Sequence, residues 1–367
     1  MNIGIIDADL LFRKNHRFPN LACMKISSFY KASAGGGQNV NLLTDYESIQ
    51  SYDKVFVSKV FTDTEVPEWV LNQKNVQYGG TGFFYDKAEP LPPEIEHIMP
   101  DYSLYDSFVD SEIASGKSKT TFKFYTDYSI GFLTRGCFRH CDFCVNKNYN
   151  QSVAHSPLAE FYDSSRKKIC FLDDNFLACR NWRRILEEVI AINKPFQFRQ
   201  GLDERLLTDE KCKLLFNSKY DGDFTFAFDN VEDYDLIEQK LKLIRKHTDK
   251  HMRFYVLCGF DRNGRYDLDF WKQDLFDTFK RIELLMRYKC YPYIMRFNMY
   301  ENSPYRGTYI TLARWCNQPS MFKRLSLVEF IEKNAEHKKR SCCERQYYDL
   351  VRHDIPELVD KYYFIHW

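Results

Sequence analysis

The sequence predicts an α/β protein with two regions of parallel sheet and a small, mostly helical C-terminal region. Short apolar runs typical of buried strands alternate with short helical segments over residues 1–85. The same alternation resumes at residue 126 on a longer repeat and continues to about residue 300. Between them, residues 86–125 contain four prolines and predict an extended linker. Residues 301–367 are less regular and predict a helical cap.

The N-terminal region is predicted to be a parallel sheet with helices between its strands. Its predicted strands are 2–7, 39–45, 52–61 and 75–83. Residues 21–33 have helical spacing, and the three glycines at 35–37 end that helix. A second short helix is predicted over 66–73.

The second region predicts six strands, most of them followed by a helix. The strands are 128–136, 167–175, 195–201, 222–230, 252–261 and 291–298. The helices are 181–192, 208–218, 234–247 and 274–288. Such a repeat predicts a partial (β/α)6 barrel of TIM type, whose chemistry gathers at the carboxyl ends of the strands.

Composition excludes several classes of protein. Hydrophobic residues make up 44% and charged residues 28%, which indicates a globular chain. The net charge of +1 excludes a general attraction to nucleic acid or anionic membranes. No apolar run approaches the roughly 20 residues of a membrane helix, and the first residues do not resemble a signal peptide. We therefore expect a cytoplasmic protein without a membrane partner.

The chain has 12 cysteines, which we expect to be reduced in the cytoplasm. Most of the isolated ones lie among apolar or helical residues, where a free cysteine behaves as a small buried hydrophobe. This prediction covers Cys23, Cys170, Cys179, Cys212, Cys258, Cys290 and Cys316.

Three cysteines form a different pattern, Cys137-x3-Cys141-x2-Cys144. A structural zinc site is closed by four protein ligands, and an electron-transfer [4Fe–4S] cluster normally has four cysteines. Three cysteines in one loop therefore favour a cluster with one iron open to a substrate or cofactor. The alternative is a zinc knuckle completed by His140 or His155, in a protein that serves as a non-enzymatic zinc or iron–sulfur scaffold.

The segment TRGCFRHCDFC, which follows a predicted strand, resembles the cluster loop of the radical S-adenosylmethionine (radical SAM) superfamily. Phe143 matches the aromatic residue that commonly precedes the third cysteine. The resemblance implies that Cys137, Cys141 and Cys144 hold a [4Fe–4S] cluster that binds S-adenosylmethionine. One electron, from a flavodoxin or ferredoxin type of donor, would cleave this cofactor to methionine and a 5′-deoxyadenosyl radical, which would abstract hydrogen from the substrate.

The resemblance also assigns contacts with S-adenosylmethionine to the other strand ends. They are ammonium acceptors at Asp173, Asp174 and Asn175, a carboxylate partner at Arg199, ribose contacts at Asp229 and Asn230, and adenine contacts at Gly259 and Phe260. The alternative for these residues is that they cap the helices that follow the strands.

The N-terminal segments NIGIID, KVFVSKVF and QYGGTGF, with the connector LPPEIEHIMPDYSLYD, resemble the Rossmann-like, cobalamin-binding-like domain of one branch of these enzymes. Together with FLDDNF, FRQGLD and LARWCNQP, they resemble a bacterial and phage-associated group within it. The histidine motif Asp-x-His-x-x-Gly is absent, and His16 is the only histidine before residue 97. Histidine-ligated cobalamin is therefore not expected, whereas cobalamin without a histidine ligand stays open.

Several functions stay open at this point. A cobalamin-dependent radical SAM methyltransferase is one alternative. A nucleobase-modifying radical enzyme is another, because the basic stretch 337–345 suits phosphate. Cys342 and Cys343, near Cys316 in sequence, would be the ligands of an auxiliary cluster, although adjacent cysteines are poorly spaced for one. A methylthiotransferase is disfavoured, because Cys23 alone precedes the loop in the N-terminal region. The substrate itself is not readable from the sequence.

Overall fold

The computed structural model describes residues 1–32, 37–146, 148–337 and 343–367. Gly35, Gly36 and Cys342, which figure in the predictions above, lie outside these ranges. The chain divides into two compact units, residues 1–199 and 200–367. The predicted α/β class with parallel sheets is confirmed. Within the described ranges, no helix is both long enough and apolar enough to cross a membrane.

The first sheet has four parallel strands in the order β2–β1–β3–β4. They are β1 (Asn2–Asp7), β2 (Asn39–Leu42), β3 (Lys54–Ser58) and β4 (Val76–Gly79). The helices of this region are α1 (Ala8–Phe12), α2 (Leu21–Ala32), α3 (Glu68–Leu71) and α4 (Thr81–Phe84). This strand order is that of flavodoxin-type sheets. In such sheets, successive strands are added first on one side of β1 and then on the other, and ligands bind between β1 and β3, where this change occurs.

The segment 86–125 is partly helical and packed. It contains α5 (Pro93–Glu96), α6 (Asp106–Ala114) and the start of α7 (Lys123–Thr126). Its buried side chains, which include Leu104, Tyr105 and Phe122, share a core cluster with Ile3 and Ile5 of β1. The prediction of an extended linker is therefore wrong for this stretch, because its apolar side chains are buried in the core. The predicted domain boundaries stay predictions.

A second parallel sheet completes the first unit. Its strands are β5 (Tyr128–Gly131), β8 (Lys168–Phe171) and β9 (Phe196–Phe198), with β8 in the middle. Between β5 and β8, the short strands β6 (Thr134–Arg135) and β7 (Val153–Ala154) pair in antiparallel fashion. Helix α8 (Trp182–Ala191) joins β8 to β9 and buries Ile185, Leu186 and Val189. The segment that contains Cys137, Cys141 and Cys144, called the cysteine loop below, therefore lies between the two strands of the β6–β7 hairpin.

The second unit contains a third parallel sheet and the C-terminal helices. The strands, in spatial order, are β10 (Thr225–Ala227), β11 (Met252–Cys258) and β12 (Cys290–Arg296). The helices are α9 (Asp209–Phe216), α10 (Tyr234–His247), α11 (Leu268–Arg287), α12 (Arg306–Cys316), α13 (Pro319–Phe322), α14 (Leu327–His337), α15 (Cys343–Asp354) and α16 (Pro356–Tyr362). Each of the six predicted strands of the long repeat is present, in two three-stranded sheets. The closed (β/α)6 arrangement stays a prediction.

Candidate metal centre

The cysteine loop begins at a glycine that the local backbone requires. Gly136 has a φ of +92°, and a Cβ there would lie 2.4 Å from the carbonyl oxygen of Gln151. Only glycine fits both the left-handed conformation and the close approach. Cys137, Cys141 and Cys144 then follow as half-buried cysteines. The backbone of Cys144 donates to the carbonyl of Cys141 at 2.9 Å, which closes a turn between the last two thiols.

Several N–H groups point at the sulfur atoms of this loop. The side-chain Nδ2 of Asn175 donates to Sγ of Cys137 at 3.3 Å, and the backbone N of Arg139 approaches the same sulfur at 3.5 Å. The backbone N of Asn146 donates to Sγ of Cys144 at 3.4 Å. Such donors stabilise a thiolate and tune the potential of a cluster bound to it. The donor set therefore fits an iron–sulfur cluster.

Asp174 ties the two ends of the loop together. Its Oδ2 accepts from the backbone N of Gly136 at 2.8 Å, directly before the first cysteine. Its Oδ1 accepts from Nδ2 of Asn146 at 2.5 Å, two residues after the third cysteine. One carboxylate at the end of β8 thus fixes the span that contains all three thiols.

Asp173 holds the strand that leads into the loop. Its Oδ1 accepts from both the backbone N and the hydroxyl of Thr134, at 2.7 and 2.6 Å, and its Oδ2 accepts from the backbone N of Leu133 at 3.2 Å. Burial raises the pKa of Asp173 to about 7. We predicted Asp173, Asp174 and Asn175 as ammonium acceptors. In the structure these side chains bond to the loop and to the strand that leads into it, and their contacts with the ammonium group stay a prediction.

Arg199 follows β9 and is exposed. Its guanidinium lies 5.1 Å from the ring centroid of Phe124 and 5.7 Å from that of Phe18. It makes no ion pair with a carboxylate in the described part of the chain. The guanidinium is therefore available to an anion, and its pairing with the methionine carboxylate stays a prediction.

The remaining predicted residues belong to the second unit, where they have structural partners. Oδ1 of Asp229 accepts from the backbone N of Leu257 at 3.0 Å. Asn230 caps the 3-10 helix Val231–Asp233, with its side chain accepting from the N of Glu232. Capping, the alternative considered for these residues, is thus observed for Asn230.

Gly259 and Phe260 follow β11. Gly259 has a φ of +75°, and its backbone N donates to Oδ2 of Asp274 at 2.9 Å. The ring of Phe260 packs edge-on against Phe297, with centroids 4.8 Å apart. Their predicted contacts with ribose and adenine, like those of Asp229 and Asn230, stay predictions.

The zinc alternative requires ligands that converge on one ion. Among the described residues, no three His, Cys, Asp or Glu side chains are grouped so that they could hold a single metal ion. A [4Fe–4S] cluster does not need such convergence, because each cysteine binds a different iron atom. Both the cluster and the zinc knuckle stay predictions. Phe143 lies half-buried in the turn between the second and third cysteines.

Sequence reasoning missed Asn146 and the loop-directed role of the two aspartates. Asn146 is adjacent to the motif, but an asparagine carries no signal of a contact with a residue 28 positions away. By contrast, the seven isolated cysteines are all buried, as predicted from their apolar neighbours.

No family model matches the chain, and no curated protein matches it. Among solved structures, the chain is similar to a cobalamin-dependent S-adenosylmethionine radical enzyme, OxsB, determined with aqua-cobalamin and S-adenosylmethionine bound. The sequence identity is 10% and the TM-score 0.35; the match covers 98% of this chain and 56% of the neighbour. The chain thus spans just over half of that protein's length.

Proposed function

We propose that this protein is a radical SAM enzyme whose Cys137, Cys141 and Cys144 hold a [4Fe–4S] cluster. The observation that supports this most is a three-thiol loop with N–H donors at two of its sulfurs and a carboxylate that ties its ends. When bound, the cluster supplies the electron that cleaves S-adenosylmethionine to methionine and a 5′-deoxyadenosyl radical.

The protein's own side chains prepare this chemistry. Asp174 fixes the spacing of the thiols, and Asp173 fixes the strand before them. Asn175 donates to the sulfur of Cys137, which stabilises its thiolate. Arg199, stacked on Phe124 without an acidic partner in the described ranges, offers a planar guanidinium to the carboxylate of S-adenosylmethionine.

The residues of the N-terminal sheet do not fit cobalamin. The ligand crevice of such a sheet lies at the carboxyl ends of β1 and β3. Here the buried Tyr105 lies at the end of β1: its hydroxyl donates to Oδ2 of Asp7 at 2.9 Å and accepts from the N of Asn20 at 3.0 Å. Nε2 of His16 is 3.9 Å from the same carboxylate, so this histidine faces Asp7. The sequence around His16 also lacks the Asp-x-His-x-x-Gly motif of a cobalamin ligand. A cobalamin-dependent methyltransferase is therefore not favoured.

The test is anaerobic reconstitution with iron and sulfide, followed by S-adenosylmethionine and a strong reductant. We expect about four irons per chain and formation of 5′-deoxyadenosine. Cys141→Ala should abolish both. Cys343→Ala is the matched control, because Cys343 is an exposed thiol outside the loop; loss of iron in this variant would instead indicate an auxiliary cluster.

Two further readouts make the same experiment decisive. Zinc bound in place of iron, or a loaded cluster that yields no 5′-deoxyadenosine with any reductant, flavodoxin or ferredoxin, would contradict the proposal. Hydroxocobalamin added during reconstitution should be removed by gel filtration, as shown by the absorption spectrum. Stoichiometric retention of cobalamin by the protein would contradict our inference that the N-terminal sheet does not bind it.

A further inference from the structure

A cluster of charged side chains lies where the strands β6 and β7 pair. It consists of Lys25, Glu96, His97, Arg135, His155 and Glu160 and is called the Glu96 cluster below. Its centre is the carboxylate of Glu96, the last residue of α5. The ammonium group of Lys25 on α2 donates to Oε1 of Glu96 at 2.9 Å. Both side chains are buried, so removing either charge leaves the other one buried with less compensation.

The carboxylate of Glu96 faces both strands of the hairpin. Its Oε1 lies 3.7 Å from a guanidinium nitrogen of Arg135 in β6 and 3.6 Å from Nε2 of His155, which directly follows β7. The backbone N of His155 donates to the carbonyl oxygen of Leu133 at 2.8 Å, which extends the pairing of the two strands. Gly136, where the cysteine loop begins, directly follows Arg135. Glu96 therefore faces the hairpin on both sides of the cysteine loop.

Two histidine rings stack within the Glu96 cluster. The rings of His97 and His155 have centroids 5.1 Å apart and an interplanar angle of 29°. Burial and the nearby Arg135 lower the pKa of His155 from 6.5, opposed by Glu96. Lys25 and, when it is protonated, His97 lower it further. The surroundings of His155 therefore favour its neutral form.

The charges of the Glu96 cluster balance only while both histidines are neutral. The two cations of the cluster then offset its two carboxylates, of which Glu96 faces His155 and Glu160 lies 2.9 Å from Nδ1 of His97. Protonation of both rings adds two positive charges at a separation at which like charges repel. The closed hairpin therefore resists protonation, whereas an open hairpin takes up protons near the ordinary histidine pKa of about 6.5. By linkage, the closed form loses stability as pH falls through that value.

We propose that Glu96 is a positioning residue for the cysteine loop, and that it holds the β6–β7 hairpin closed while His97 and His155 are neutral. Protonation of the two histidines opens the hairpin. Because the three cysteines lie between its strands, an open hairpin no longer fixes their spacing, and a cluster bound there is lost in mild acid. This last step rests on the proposed function, whereas the opening itself is a property of the chain without a cluster.

Amide hydrogen exchange of the full chain before reconstitution, followed by mass spectrometry, tests this inference. His155→Gln keeps an N–H group that can donate to Glu96 but takes up no proton. Peptides from residues 133–156 of this variant should exchange as in the wild type at about pH 7.5. At about pH 5.5, the wild-type peptides should exchange about three- to tenfold faster than those of the variant. Comparison at one pH cancels the intrinsic pH dependence of exchange and the titration of Asp173, which also bonds to the hairpin.

Glu96→Gln removes the charge that both strands face. The same peptides should then exchange about tenfold faster or more already at about pH 7.5, and Glu96→Asp, which keeps a carboxylate, should restore part of the protection. Peptides from β8 and β9 should keep their wild-type rates. Equal acceleration in those strands would mean that Glu96 supports the whole unit and does not position the loop, which would overturn the inference.

Two variants at exposed sites serve as controls. His353→Gln removes an exposed histidine of α15, and Glu187→Gln removes an exposed carboxylate of α8. Both should follow the wild type at each pH. Equal exchange of the hairpin peptides in the wild type and His155→Gln at about pH 5.5 would show that the histidine does not control the hairpin and would also overturn the inference.

The outcome is independent of the test of the proposed function, since hydrogen exchange needs no iron and produces no 5′-deoxyadenosine. A protein that forms 5′-deoxyadenosine but whose hairpin exchange does not respond to His155→Gln loses this inference alone. A protein whose hairpin opens in mild acid through His155 but that never binds iron retains the positioning role of Glu96 and loses the radical chemistry.

Discussion

The first unit contains two parallel sheets whose carboxyl edges differ in what they leave accessible. At the edge of β1 and β3, polar side chains bond to one another and to the chain. Nδ2 of Asn20 donates to the hydroxyl of Ser58 at 3.0 Å, and Oδ2 of the buried Asp9 accepts from the N of Val60 at 2.7 Å. Tyr105 likewise donates to Asp7, so the polar side chains at this edge have partners within the chain.

At the edge of β5 and β8, the polar side chains also bond to the chain, but they hold a loop. Asp173 and Asp174 accept from backbone and side-chain donors on either side of the cysteine motif. The three thiols remain half exposed. The comparison teaches that acidic residues at a strand end do not by themselves mark a ligand site. The function of an edge depends on which reactive side chains stay accessible there, and at β5 and β8 these are the three thiols.

Of the variants proposed here, we expect Asp174→Ala to have the largest effect, which is a loss of bound iron. This change removes the acceptor for Gly136 and Asn146 together, so the two ends of the cysteine loop separate. Losing a residue that supports metal ligands typically lowers metal affinity by about 10–100-fold, and we expect iron and sulfide content to fall accordingly. Chemical analysis of the reconstituted protein measures it.

Two variants sharpen that prediction. Asp174→Asn keeps one acceptor and should retain more iron than Asp174→Ala. Glu188→Ala, which removes an exposed carboxylate of α8 paired with Arg184, should retain all of it. Full iron content in Asp174→Ala would show that the carboxylate does not hold the loop.

The sequence predicted the strands well because each is a short apolar run that ends in polar residues. It predicted the cysteine motif because the three cysteines lie within eight consecutive positions, 137–144. Both signals are local. The three-stranded sheets, the parallel pairing and the buried isolated cysteines follow from such signals together with general rules of packing.

The partners of the polar residues could not be predicted in the same way. Tyr105 bonds to Asp7 across 98 positions, and Asp173 to Thr134 across 39. Nothing in a local pattern indicates which distant donor a carboxylate will meet. For the same reason, the connector looked like a linker. Its prolines are a local signal, whereas the burial of Leu104 and Phe122 depends on the sheet they meet.

Asp173→Asn should destabilise the fold at about pH 5, where the carboxyl group of Asp173 is still protonated because burial raises its pKa. The carboxyl group accepts from three donors on Leu133 and Thr134. An amide has one acceptor oxygen, so its NH₂ group would face a donor. The lost bond should lower the free energy of unfolding by about 1–3 kcal/mol, measured by urea denaturation. Wild-type stability in this variant would mean that Asp173 is not held by these contacts.

The smallest effect, and a pH-dependent one, is expected for Asp7→Asn at the other edge. Burial and the nearby Asp9 raise the pKa of Asp7 from 3.8 to about 7, opposed by the hydrogen bond from Tyr105. Burial lowers the pKa of the neighbouring His16, so it adds no countercharge near neutrality. Unlike the backbone N–H groups that donate to Asp173, the hydroxyl of Tyr105 can reverse its role and accept from an amide. The backbone N of Leu10 can still donate to the amide oxygen.

The sign follows from proton uptake. Folded Asp7 keeps its proton up to about pH 7, whereas the unfolded chain releases it near pH 4, so wild-type stability falls as pH rises through that window. Asp7→Asn has no such proton. Its free energy of unfolding, measured by urea denaturation, should match that of the wild type at about pH 5. At about pH 8.5 it should exceed the wild-type value by on the order of 1–3 kcal/mol. Asp63→Asn, at an exposed carboxyl of the same unit, should follow the wild type throughout. If the Asp7→Asn and wild-type curves run parallel across this range, the edge of β1 and β3 is open to water, and the contrast between the two edges fails.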